Sequence, residues 1–165
     1  MPIKYTIAED LQNNIQELAS TLFPHVKLDS VICLRSFGSS SRGTIARCHG
    51  LGKAMQIALG RKGFYVIEVI SERFDRLSKI DRIKTLIHEL MHIPKSFGGG
   101  FIHHDFVTER NVNRIYEQYI NVNNYKILEH PKVLNNQQEE LRDFKGKENN
   151  FKQEKEKKEN GRFWF

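Results

Sequence analysis

Residues 78–100 constrain this chain more than any other stretch: a helix-period apolar run meets Pro94 and then three consecutive glycines. Ile80, Ile83, Ile87 and Leu90 recur at helical spacing and predict a face turned to a core. Ser78, with Asp81 three residues on, reads as the cap that opens this helix. Pro94 disfavours helical backbone at Ile93, so the helix is expected to stop just past His92. Gly98, Gly99 and Gly100 then allow the chain to reverse.

A second face of the same helix carries Lys84, His88 and His92 at i+4 intervals, and residues 88–92 read HELMH. Two imidazoles one helical turn apart can share one metal ion. Glu89, beside the first of them, could reach a water on that ion and take up its proton, because zinc brings the pKa of such a water toward neutrality. A catalytic zinc site needs a third protein ligand and one position for water or substrate. His103 and His104, after the glycine turn, are the candidates. His104 is preferred. It precedes Asp105, a good N-cap for a helix expected to run to about Ile120, on which Val112, Ile115, Tyr116 and Tyr119 form an apolar stripe. His103, one residue earlier at the same helix start, stays open as the alternative. Glu109 is a weaker alternative. Arg110, Arg114 and Tyr116 are candidates for stabilising an oxyanion. The bland reading is a surface helix with an incidental His pair; the proline stop, the glycine turn and the later histidines argue against it.

The remaining pattern is mixed. Residues 8–22 place Ala8, Leu11, Ile15, Leu18, Ala19 and Leu22 on one helical face. Residues 31–37 and 64–70 are apolar and β-branched, and read as strands. The Gly/Ser loop 38–43 lacks a P-loop Lys and is expected to be a plain hairpin loop, pairing a strand at 44–48 with the first. Residues 53–59 suit either a strand or a short helix. Glu68, inside the second apolar strand, is either turned to solvent or placed near the site, and the solvent reading is preferred. The fold class expected is α+β, with a small mixed or antiparallel sheet packed on the HELMH helix and a second site helix. Residues 121–144 are polar and broken by Pro131, which predicts loop with at most a weak helix. Residues 145–161 cannot bury enough apolar surface to offset their ordering entropy. The expected organisation is therefore one domain over 1–144 and a charged, disordered tail over 145–165, ending in Arg162, Phe163, Trp164 and Phe165. Those aromatics could dock on a partner or on nucleic-acid bases.

A chain of 165 residues suffices for one ordinary domain. It has no apolar run long enough to span a bilayer and no signal-peptide pattern, so a cytoplasmic protein is expected. Cys33 and Cys48 are too few for a disulfide framework and read as free thiols, Cys33 in a buried strand. Of the net charge of +6, the tail contributes strongly, with seven Lys/Arg against four Glu. Elsewhere Arg35, Arg42, Arg47, Lys53, Arg61 and Lys62 cluster in sequence. Such a cluster could meet phosphates, although a solvated face is the commoner outcome.

The string HELMHIPKSFGGG over residues 88–100, followed by His104-Asp105, resembles the metallopeptidases of phages and archaea. ARCHGLG at 46–52 and YVIEVISERFD at 65–75 resemble the same group, and the likeness covers about residues 30–120. It implies a zincin-like fold, zinc bound by His88, His92 and His104, and Glu89 as general base. The likeness to WLM-type and SprT-like proteases of DNA–protein crosslinks is more distant. Three functions follow as expectations. The first is a zinc peptidase acting on peptide or protein substrates. The second is a nucleic-acid-associated protein, whose DNA binding would weaken steeply with salt. The third is a non-catalytic zinc module, whose closed site would need a fourth ligand such as His103 or His49, or an interaction protein acting through the charged, aromatic-ended tail.

Overall fold

The structure, a computed structural model, describes residues 2–129. The chain divides into two units, Met1–Asn121 and Val122–Phe165. Of the second unit only the last turns of one helix are described. The expected tail over 145–165, the Pro131 break and the terminal aromatics lie outside the described residues.

Four strands form one sheet. They are β1 (Lys4–Ile7), β2 (Val31–Phe37), β3 (Ala46–Gly50) and β4 (Tyr65–Ile70). Their spatial order is β1-β2-β4-β3. β4 runs parallel to β2 and antiparallel to β3, while β1 runs antiparallel to β2, so the sheet is mixed. The α+β expectation holds, but the hairpin between residues 31–37 and 44–48 does not form. β4 is the most apolar strand, and the centre of the sheet is where both faces of such a strand can be covered. It therefore sits between β2 and β3, and the Gly/Ser loop crosses over it. β1 was not anticipated. All four of its residues are exposed, so it lacks the alternation that marks a half-buried strand.

The helices are α1 (Glu9–Leu22), α2 (Lys53–Ala58), α3 (Ser71–Phe74), α4 (Lys79–Met91) and α5 (Glu109–Glu129). α2 resolves the ambiguity at 53–59 in favour of helix. α5 differs from expectation at both ends. It starts after a turn, with the Thr108 hydroxyl accepting from the Asn111 N–H, so Asp105 is not its cap. It also runs on to Glu129 instead of stopping near Ile120.

Pairing register assigns the strand faces. Cys33, Ile67 and Cys48 lie side by side, as do Val31, Tyr65 and Gly50. This face meets the helices: Val31, Cys33, Tyr65, Ile67 and Val69 are at most 1% exposed, and they share a core with Leu11, Ile15 and Leu18 of α1 and Leu86, Ile87 and Leu90 of α4. Ile80, expected in that core, is 50% exposed; Leu86 and Met91 take up the inward arc instead. The opposite face carries Ile7, Leu34, Glu68 and Arg47 in one row.

Candidate metal centre

α4 begins where the sequence says it should. The Ser78 hydroxyl accepts from the Asp81 N–H at 3.1 Å, and His92 closes the helix as its C-cap. One face of α4 is buried in the core. The adjoining face brings His88 and His92 to the rim of the sheet at β3. Their Nε2 atoms lie 3.2 Å apart. Two imidazoles bound tetrahedrally to one zinc at about 2.05 Å would stand about 3.3 Å apart, so the spacing fits a shared ion.

Beyond the helix, the loop doubles back and ties itself to His92. The Ile102 N–H donates to the His92 carbonyl (2.9 Å), and His92 Nδ1 donates to the Ile102 carbonyl (2.6 Å). That second bond leaves the Nε2 lone pair free to bind a metal, the usual arrangement of a ligating imidazole. The loop then delivers His104, whose ring centroid is 4.7 Å from that of His92 and 5.4 Å from that of His88. Each of the three histidines has a ring nitrogen within 4.8 Å of the others'. His103 is not part of this group, and Glu109 lies outside it as well.

Burial sets the protonation of the cluster. It pulls His88 down to about 4, helped by the neighbouring His92 and His104. It also lowers His92, although the bond to Ile102 works the other way. Both rings are thus neutral near pH 7, the form that binds metal. Donor type, spacing and protonation all suit a divalent ion of zinc's preferences.

Glu89 is 5% exposed. Burial pushes its carboxyl up to about 7, against the opposing effect of a hydrogen bond from the Cys48 backbone N–H. That N–H comes from the free edge of β3. The Ile70 N–H donates to Ile45 and the Leu51 N–H to Phe64, so odd-numbered residues of β3 bond to β4. Ala46, Cys48 and Gly50 therefore turn their backbone groups away from β4, and the Cys48 N–H meets Glu89 of α4. Two cavities meet at His88 and Glu89. One, of about 530 Å³, includes Cys48, His49, His92, Phe101 and His104. The other, of about 590 Å³, includes Ile45, Leu77, Lys84, Glu109 and Val112.

Several sequence expectations change here. Glu68 does not face solvent. It is 2% exposed and engaged by Arg47 (3.3 Å) and His49 (2.7 Å). β4 is an inner strand, so its neighbours hide what alternation alone would expose. His49, on that same face, pairs with Glu68 and is outside the histidine group. Arg110 and Arg114 line a separate depression that contains none of the three histidines, and Lys84 sits over the Tyr116 ring. The basic cluster is divided. Arg35 is held between Asp10 and Asp75, and Arg47 is held by Glu68. Both cysteines are free, and burial pushes each thiol up to about 12. Among the described residues no helix is long and apolar enough to cross a membrane. The backbone hydrogen bond from Cys48 to Glu89 was invisible in the sequence, because it depends on which strand occupies the edge.

Residues 3–130 match the protein family described as "Putative phage metallopeptidase". No curated protein and no solved structure matches the chain.

Proposed function

Because the chain belongs to this phage metallopeptidase family, we propose that it is a zincin-like zinc peptidase whose ion is held by His88, His92 and His104. The observation that carries this reading is the convergence of three imidazoles beside a buried carboxylate at the open edge of a sheet. When bound there, zinc would polarise the scissile carbonyl and acidify a water. Glu89 takes the proton of the attacking water and passes it to the departing amine. Burial favours the protonated form of this carboxyl, so it can hold the proton between the two transfers. The Cys48 N–H keeps that carboxyl at the strand edge. Substrate pairs with β3, the edge strand beside the histidines, through the outward groups of Ala46 and Gly50. Its flanking side chains occupy the two cavities that meet at Glu89.

A three-imidazole set suits an open catalytic site better than a closed structural one. We take residues 1–144 as the catalytic domain and 145–165 as a charged tail. DNA association draws no support from the family match, and part of the basic cluster is spent on internal ion pairs.

The test is metal analysis joined to a protease assay, with and without DNA, on the native chain and Glu89→Gln. The expected result is zinc bound by both, with protein hydrolysis by the native chain alone. A chain that takes up no zinc, or a Glu89→Gln variant as active as the native chain, overturns the proposal. Salt-sensitive stimulation by DNA would restore the nucleic-acid reading.

A further inference from the structure

The loop between His92 and His104 has no regular structure, yet its backbone is closely held. Tyr65 of β4 is fully buried, and its hydroxyl does two jobs: it donates to the Gly100 carbonyl (2.9 Å) and accepts from the Gly99 N–H (2.9 Å). Gln56 of α2 is 6% exposed and spends its amide on the Leu51 carbonyl (2.6 Å) and the Gly98 carbonyl (2.8 Å). The Tyr65 ring also meets Phe97 edge-on, with centroids 4.8 Å apart.

Backbone lies directly on backbone at this place. A Cβ on Gly99 would stand 2.0 Å from the Leu51 carbonyl oxygen, and one on Gly63 would stand 2.1 Å from that of Phe97. Phe97 itself takes φ +49°, a left-handed conformation that non-glycine residues seldom adopt unless the surroundings impose it. The loop is therefore pinned at Gly98, Gly99 and Gly100 from one side, and at Ile102 by His92 from the other. Neither Tyr65 nor Gln56 is in the histidine group. Both act on the segment that carries the third imidazole to the first two.

We propose that Tyr65 and Gln56 are the positioning residues of the metal centre: together they fix the glycine loop so that His104 reaches His88 and His92. This rests on the zinc-site reading above. A satisfied buried hydroxyl and amide hold the loop in one conformation, so the third ligand is prepaid in entropy before metal arrives. Supporting groups of this kind typically change metal affinity by about 10–100-fold.

The experiment measures zinc affinity by chelator competition on the folded full chain, for the native protein, Tyr65→Phe, Gln56→Leu and a core control, Ile15→Ala. The absorption spectrum of the cobalt-substituted protein reports the ligand set. Amide exchange at Gly99 and Ile102 reports the loop without metal. Tyr65→Phe and Gln56→Leu are each expected to weaken zinc binding at least about 10-fold, to alter the cobalt spectrum and to speed exchange at Gly99. Ile15→Ala should lower the melting temperature while leaving affinity and spectrum as in the native chain. If the loop variants bind zinc like the native chain, or if Ile15→Ala loses affinity equally, the positioning role is refuted. Should Tyr65→Phe fail to fold, Gln56→Leu decides alone. A native chain that binds no zinc defeats the metal-site reading itself and this role with it; a native chain that binds while its variants match it defeats the positioning role only.

Discussion

Replacing Glu89 with glutamine separates two consequences of one buried carboxyl. In the folded chain Glu89 titrates at about 7, against an ordinary value of 4.5, because burial disfavours its charge. The native state then binds this proton more tightly than the unfolded state does. The resulting stability is full below pH 4.5 and is lost as pH rises through about 7. At about 1.4 kcal/mol for each pH unit of that gap, the loss approaches ~3 kcal/mol by about pH 8. His88 works in the opposite sense. Burial lowers it from 6.5 to about 4, so its contribution is present above pH 6.5 and lost as pH falls through 4. The two slopes oppose each other between pH 4.5 and 6.5, so the native profile alone is ambiguous, whereas the difference between native chain and variant is not. Glutamine keeps the shape and can still accept from the Cys48 N–H, but it cannot ionise. Urea unfolding of the zinc-free proteins from pH 4.5 to 8 should show the variant gaining about 3 kcal/mol over the native chain across that range. Peptide hydrolysis by the zinc-loaded variant should fall by about 10²–10⁴-fold. Parallel stability profiles would refute the burial argument, and undiminished hydrolysis would refute the proton-transfer role.

Other outcomes follow from the same geometry. His104→Ala should weaken zinc binding by more than about 100-fold, while His103→Ala stays within about 2-fold, as read by chelator competition. Gly99→Ala meets the Leu51 carbonyl and a φ of +86°, so it should cost at least about 2 kcal/mol in thermal unfolding. Gly100→Ala meets nothing within 4 Å and should be nearly neutral. Burial alone would raise Glu68, but hydrogen bonds from Ser36 and His49 and the charge of Arg47 outweigh it, and its carboxyl titrates below 4.5. That stability is present above pH 4.5 and lost as pH falls, so Glu68→Gln should flatten the acid limb of the unfolding profile and cost about 2 kcal/mol at pH 7.

The local signals in the sequence served well where one segment decides its own conformation. The cap at Ser78, the stop at Pro94 and the strand over Val31–Phe37 are of this kind. So is the apolar face of α1. The grouping of His88, His92 and His104 was legible for the same reason, since two of them share a helix and the third follows a forced reversal. Pairing between distant segments was not legible. β3 and β4 find each other across α2, and nothing in residues 44–48 says which neighbour they will choose. Glu68 was misjudged because its burial depends on that choice. Asp105 was misjudged as a cap because Thr108 competes for the same role four residues before Val112. The roles of Tyr65 and Gln56 are tertiary as well: each holds a segment more than thirty residues away.

β1 is bonded along one side only, and every residue in it meets water. Peeling it off would sever a single ladder and uncover little apolar surface, so this is where partial opening should start under mild stress. β2 and β4 stand between that seam and the histidines, like a bulkhead between a leaking compartment and the engine room. A molecule caught with β1 detached would keep its three imidazoles together, and fraying at one margin of the sheet would leave the chemistry at the other margin intact.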